Sequence, residues 1–470
     1  MRTLVWFRGK DLRLTDHSPL VEAAAAGEVL PLFVLDPYFF APERARQLPH
    51  RIQFLLESLR ELSAGLERLG SRLILVQGRS VDLLPKFATE WKVDQVLVHR
   101  WVEPFGRERD RRIEASLGRA GIPLRLFEGE TLLPPGSVRN QQGLMFRVFT
   151  PFGRACAARL DAPVPLAAPR RLPPLPLDLR PQPLPVPALE DLGLTGNPAL
   201  LPGGETQARA RLQRFLSGPL RDYACDRDRM DRPGTSRLSV DLKFGTLSVR
   251  SVWHAAAAAE GARAFLNELL WREFSHHLLW QWPQLLDSPF RPEFEGFPWA
   301  EDEAGWQAWT EGRTGYPVVD AAARQLLQEG FVHNRARMVA ASFLAKHLLL
   351  DFRRGEAHYL HWLTDGDWAQ NDAGWQWSAG CGCDAQPWFR IFNPVTQGLK
   401  FDPDGAYVRR WLPELAALPT RFIHAPWKAP HELRARLDYP QPIVDHGFAR
   451  ARFLETARRH LGAARADREG

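Results

Sequence analysis

Asp365-Gly366-Asp367-Trp368-Ala369-Gln370-Asn371-Asp372-Ala373-Gly374-Trp375-Gln376-Trp377 gathers acidic groups, an asparagine and three tryptophans into thirteen residues. Asp and Asn suit the start of a helix, where their side chains satisfy free backbone N–H groups. Asn371 and Trp375 are four residues apart and share a face of that helix. An amide beside an indole, close to carboxylates, fits a site that holds a flat aromatic cofactor. Taken alone, the segment also reads as an aromatic core helix with an acidic cap.

Outward from this segment the chain is helical in both directions. Helical periodicity runs through Arg209–Phe215, Ala262–Trp282, Ala321–Glu329, Arg335–Leu350 and Glu356–Leu363, so residues 205–470 are expected to form an all-helical domain. The first 130 residues alternate instead. Short runs rich in Val, Ile, Leu and Phe (Thr3–Phe7, Val29–Leu35, Arg72–Gln77, Gln95–His99, Leu124–Phe127) are separated by helical stretches such as Arg51–Leu69 and Gly106–Leu117. That alternation predicts a doubly wound, parallel α/β domain over 1–130. The first strand leads into Arg8-Gly9-Lys10-Asp11 rather than G-x-G-x-x-G, which disfavours a standard dinucleotide site. Residues 131–204 join the two domains. Their proline-rich part, from about 161, is expected to be an extended linker that builds no packed core.

The 470 residues exceed one ordinary core, so two domains are expected. A net charge of +6 favours an anionic partner met in a basic groove rather than by a basic tail. Cys156, Cys225, Cys381 and Cys383 are too few and too irregular for a disulfide framework or a zinc or iron–sulfur site, so no metal is expected. With no signal-peptide pattern and no bilayer-length apolar run, the expectation is a soluble cytoplasmic protein.

Three further segments carry chemistry. In Gly234-Thr235-Ser236-Arg237-Leu238-Ser239, backbone N–H groups, hydroxyls and a guanidinium can grip a phosphate pair, although a turn and helix cap explain it as well. In Asn267-Glu268-Leu269-Leu270-Trp271-Arg272-Glu273-Phe274, Glu268, Trp271 and Arg272 share a helix face. They could read the edge of a base and stack on its ring, or form a surface ion pair beside a core tryptophan. His333-Asn334-Arg335-Ala336-Arg337-Met338 puts Asn334, Arg337 and Met338 on one face, with Asp365 the obvious partner for Arg337 and with Arg335 turned toward phosphate; a basic helix start is the plain alternative.

Together with Tyr223…Arg227, Gly315-Tyr316-Pro317-Val318-Val319-Asp320-Ala321-Ala322, Phe389-Arg390-Ile391-Phe392-Asn393-Pro394 and Trp-Gln-Trp, these motifs stand in the order seen in the DNA photolyase/cryptochrome family, which the chain resembles over nearly its whole length. The resemblance implies FAD in the helical domain, contacted by Tyr223, Thr235, Ser236, Leu238, Ser239, Phe265, Asn334, Arg337, Asp365, Asp367 and Asn371, with Asn371 at flavin N5. It implies light-driven repair of cyclobutane pyrimidine dimers in UV-damaged DNA by a monomer. Trp271 and Trp377 would wall a pocket for the flipped-out dimer, Glu268 would hydrogen-bond its carbonyls, and Met338 would line it. Arg227, Arg272, Asn334, Arg335 and Gln397 would join Glu268, Trp271 and Trp377 against DNA.

Asn334 and Met338 stand where relatives specific for (6-4) lesions carry histidines, Asn371 where plant-type cryptochromes carry an acid, and Trp377 where the DASH branch lacks its tryptophan. Each favours the bacterial class I, cyclobutane-dimer kind over a blue-light signalling photoreceptor. Of the three residues expected to wire flavin to the surface, Trp375 and Trp299 match, but the middle one is Phe352, a poor hopping station; Trp368 or Trp362 could provide a bypass. Phe105-Gly106 replaces the Asn-Glu pair of folate-binding members. Arg51, Glu103 and Lys243 then suggest 8-hydroxy-deazaflavin or FMN as the antenna chromophore.

Overall fold

The computed structural model describes residues 1–160, 163–179 and 184–469; expectations for 161–162 and 180–183 of the linker lie outside the described residues. By compactness the chain forms two units, Met1–Arg221 with Ser236–Pro283, and Asp222–Thr235 with Gln284–Gly470. The units are not consecutive stretches: 205–221 and 236–283 group with the α/β part.

In the first unit five strands, β1 (Arg2–Phe7), β2 (Glu28–Leu35), β3 (Ile74–Gln77), β4 (Gln95–His99) and β5 (Leu124–Phe127), pair in parallel in the order β3-β2-β1-β4-β5. The expected doubly wound sheet is therefore present, with every strand within two residues of its predicted start. Pro31 is tolerated in β2 because β3 pairs only from Leu32 onward, so β2 is locally an edge on that side. Apolar side chains from both faces of the sheet feed two buried clusters, one around Val5, Phe7 and Phe33, the other around Leu4, Trp6 and Leu32. The turn after β1 is filled by side chains. The Arg8 N–H donates to Asp11 Oδ1 at 2.6 Å, and Asp11 Oδ2 lies 3.1 Å from His99 Nδ1 and 3.6 Å from His17 Nε2. Because His17 Nδ1 accepts the Leu20 N–H, its Nε2 carries the proton and is closed to a metal ion.

The proline-rich segment departs from expectation. Among its described residues it is irregular apart from a short turn at Glu190–Leu192, yet it is no bare linker. The Leu172 N–H donates to the Leu69 carbonyl at 2.7 Å, and Leu172, Leu179 and Leu192 are buried in the α/β core. Leucines spaced along an extended chain can be buried without regular structure, so the composition argument missed them.

The second unit is helical. The predicted run Arg335–Leu350 is two elements, an α-helix at Asn334–Ser342 and a π-helical turn at Phe343–His347. The segment that opened the sequence analysis forms the helix Trp368–Ala379. Asp367 caps it, accepting the Gln370 N–H at 3.1 Å, and Gly380 ends it at a positive φ of 93°. Among the described residues no helix is long and apolar enough to cross a membrane.

Candidate functional site

In the second unit, Arg337 and Asp365 meet as the sequence suggested. Arg337 Nη2 lies 3.0 and 2.9 Å from the two carboxylate oxygens, while its Nε donates to the Val332 carbonyl at 2.8 Å. Asp365, Asp367 and Asn371 are all buried although polar. The Asn371 amide nitrogen donates to the Glu356 carbonyl at 3.1 Å, which fixes the plane of the amide. Beside it two carboxyls, Glu356 and Asp372, are buried; desolvation pushes both up, and the charge of Asp372 raises Glu356 further. At pH 7 this pair holds a proton. Asp372 Oδ1 accepts the Gln376 amide at 2.9 Å.

Asn334 is exposed at the start of its helix and touches Met338 Sδ at 3.7 Å. Arg335 is engaged: Nη2 pairs with Asp228 at 2.8 Å and the guanidinium lies over Phe401 at 4.3 Å. Tyr223 is buried, with Arg227 5.8 Å from its ring. Thr235 is half-buried, and Trp377 packs half-buried against the unit's core. Gln397 sits on a helix capped by Asn393, and its Oε1 is buried without a hydrogen-bond partner among the described residues.

Trp375 is buried, and its indole meets Trp309 at 6.0 Å and Tyr359 at 5.1 Å between ring centroids. Phe352 is buried and meets Trp299 at 6.2 Å. Sequence reasoning did not single out Trp309. Its position three residues after Trp306, on a helix capped by Asp302, was the available signal.

In the first unit, Ser236 Oγ accepts the Leu238 N–H at 3.3 Å, and Ser239 starts a short helix, Ser239–Phe244. Phe265 is buried against Phe215 at 4.7 Å. Glu268, Trp271 and Arg272 are half-buried on the helix Arg263–Gln281. One face of Trp271 is covered by Phe149, stacked at 3.7 Å and 11°. Arg272 donates to the Glu130 carbonyl at 2.6 Å and toward that of Leu242 at 3.4 Å, a use the sequence did not indicate.

The same unit has a cavity of about 290 Å³ at the carboxyl ends of β1 and β2, beside the point where strand order reverses. Arg51 and Lys243 line it, with Tyr38, Trp101, Phe105 and Arg109. Glu103 does not. It is buried in an ion pair with Lys10, which also reaches Glu130, because a buried ammonium must be neutralised. Arg8 and Arg109 lie over the Trp6 and Trp101 rings at 4.4 to 5.0 Å.

Comparison with known proteins bears on this arrangement. Residues 3–170 match the family model described as DNA photolyase, and residues 265–459 match the FAD binding domain of DNA photolyase. A deoxyribodipyrimidine photo-lyase of Agrobacterium fabrum is 40% identical over 96% of this chain and 96% of its own. Among solved structures, a bacterial class III photolyase from Agrobacterium tumefaciens superposes with a TM-score of 0.91 at 38% identity, covering 98% of this chain and 97% of its own. An archaeal photolyase from Sulfolobus tokodaii, solved with two FAD molecules, gives 0.85 at 30% identity, covering 98% and 100%. With both family models matched in order and relatives aligned end to end, this chain belongs to the DNA photolyase family.

Proposed function

We propose that the protein is a deoxyribodipyrimidine photo-lyase that repairs cyclobutane pyrimidine dimers in UV-damaged DNA under blue light. The observation that carries this is the buried polar set of the second unit, Asn371 with the Arg337–Asp365 pair, inside a match to the FAD-binding domain of the family. Arg337 and Asp365 are held by each other and Asn371 by the Glu356 carbonyl, so the set is fixed in place, and its donors and acceptors fit the heteroatom edge of a flavin. Bound, reduced FAD would supply the photo-excited electron that splits the dimer.

The residues proposed to hold FAD are Tyr223, Thr235, Ser236, Leu238, Ser239, Phe265, Asn334, Arg337, Asp365, Asp367 and Asn371. A neutral Asn371 amide donates to an unprotonated ring nitrogen and accepts from a protonated one, so it serves more than one redox state. Arg337 adds positive potential. Glu268 hydrogen-bonds the dimer carbonyls, Trp271 and Trp377 stack on it, and Met338 packs beside them. Arg227, Asn334, Arg335 and Gln397 contact DNA; Arg272, occupied by backbone carbonyls, is left out of that set. The protein works as a cytoplasmic monomer.

For an antenna we propose 8-hydroxy-deazaflavin or FMN in the cavity of the first unit, held by Arg51 and Lys243. An aromatic and cationic lining supports a flat anionic ligand. A side chain at Gly106 would meet the Trp101 ring within 2.8 Å, which argues against an acid there for folate.

The test is to mix protein, reductant and oligothymidylate carrying cyclobutane dimers, and to follow absorbance near 260 nm in blue light and in darkness. Recovery in the light alone supports the reading, and Glu268→Gln should slow it. No recovery with FAD bound and reduced would overturn it in favour of signalling or another lesion.

A further inference from the structure

In the wall of the first unit's cavity, two buried indoles, Trp6 and Trp101, are each faced by two guanidinium groups. Arg8 lies 4.8 Å from the Trp6 ring centre and 5.0 Å from that of Trp101, and Arg109 lies 4.8 and 4.4 Å from the same two rings. One carboxylate serves both arginines: Asp110 Oδ1 accepts from Arg8 Nη1 at 2.8 Å and from Arg109 Nη2 at 3.0 Å. Two positive charges against one negative leave an excess over the rings. Burial and the neighbouring Arg8 push Arg109 down to about 10, so it is still charged near neutrality. Lys10 stands 5.6 Å from Trp101 as well, but Glu103 and Glu130 neutralise it. Among the described residues Asp36 is the one acid lining the cavity, and it is occupied by the N–H groups of Tyr38 at 3.0 Å and Ser80 at 2.8 Å.

This is a costly way to fill a wall. Like charges buried side by side destabilise a fold, and apolar residues of similar size would pack there more easily. Packing alone therefore does not account for the arrangement, whereas the chemistry of a light-absorbing ligand does. Arg8 Nε and Nη2 are buried without a hydrogen-bond partner among the described residues, so the wall also has donors to spare for such a ligand. A flat chromophore filling the cavity touches indole. Once excited, it can take one electron from that indole, which is left as a radical cation; the electron then falls back and the absorbed energy is lost as heat. A guanidinium on the ring face is attracted to the neutral indole but repels the radical cation.

We propose that Arg8 and Arg109 protect an excited antenna chromophore by making Trp6 and Trp101 hard to oxidise. The inference rests on the antenna reading above and adds a role to it: the indoles hold the ligand, and the cations on them set how long its excitation survives. No net redox change accompanies this role, because the step it suppresses returns its electron.

The experiment titrates purified full-length protein, with its FAD, with FMN as the probe, and reads the fluorescence lifetime and dissociation constant of bound FMN. Energy transfer to FAD is common to all variants, so differences among them report the indoles. Arg109→Met should shorten the lifetime several-fold, and Arg109→Lys should leave it near that of the parent. Adding Trp101→Phe to Arg109→Met should recover most of the loss. Arg8→Met, which leaves Arg109 paired with Asp110, is the second variant should Arg109→Met fail to fold, and the same shortening is expected of it. An unchanged lifetime with FMN bound overturns the protective role alone. So does a shortening that Trp101→Phe does not reverse, because a loosened fit would produce it. A parent protein that binds no FMN overturns the reading of the cavity as an FMN site, and the inference with it.

Discussion

Trp375 lies directly on the backbone of Gly355: a Cβ at position 355 would come 2.5 Å from the ring atom Cζ3 and 2.5 Å from Leu344 Cδ2. Gly355 sits inside the helix Phe352–Trp362, where glycine is costly, so its presence reflects this close approach. Gly355→Ala should destabilise the protein by about 1–3 kcal/mol through overpacking, despite the better helix propensity of alanine. Thermal unfolding measures the loss. A neutral or stabilised variant would mean that the ring moves aside freely.

Phe149 stacks on Trp271 at 3.7 Å and holds the plane of the indole. Phe149→Leu should cost about 1.5 kcal/mol or less in stability but let the indole tilt. The expected result is several-fold weaker binding of dimer-containing oligonucleotide, with binding of undamaged DNA unchanged. Competition between the two DNAs checks this, and equal losses on both would show a general rather than a dimer-specific role.

Arg335 is held by Asp228, so a phosphate must compete with a carboxylate for it. Asp228→Asn should therefore tighten DNA binding at low salt. Arg335→Ala should weaken it and lower the slope of log affinity against log salt by about 0.9. A salt titration of all three proteins reads both effects. An unchanged slope in Arg335→Ala would remove this arginine from the DNA contacts.

The buried Glu356 and Asp372 carboxyls are raised above their ordinary range. The native state keeps a proton there that the unfolded chain releases at lower pH. This contribution to stability is complete below the ordinary carboxyl value of about 4 and is lost as pH rises to about 8, where Asp372 ionises. Asp372→Asn should flatten the fall in melting temperature across that window and leave the variant more stable than the parent at pH 8. The asparagine carbonyl still accepts from Gln376. A parallel pH profile in the variant would place the titration elsewhere.

The parallel sheet was legible because strands buried on both faces must be short apolar runs, and the Asp367 cap because a side chain three residues before a helical N–H has one job there. The Arg337–Asp365 pair was legible as the union of two motifs. What escaped the sequence depends on distant contacts. Nothing local marks the π turn at Phe343–His347, since the apolar period barely changes across it. Glu103 could not be known as the partner of Lys10 without the packing of the turn after β1 against the segment after β4. Trp309 looked like one more core tryptophan until its ring was found against Trp375.

The weaving of the chain bears on how the molecule is made. The first unit is finished by Ser236–Pro283, after the chain has already contributed Asp222–Thr235 to the second. Domains tend to fold as they emerge, N-terminal parts first, but here a nascent chain halted near residue 220 would lack the helix Arg263–Gln281, whose Glu273 accepts the N–H groups of Leu132 and Leu133. Truncations at the proline-rich segment should therefore yield incomplete, aggregation-prone products, and the ribosome must release well over half of the polypeptide before either unit can close.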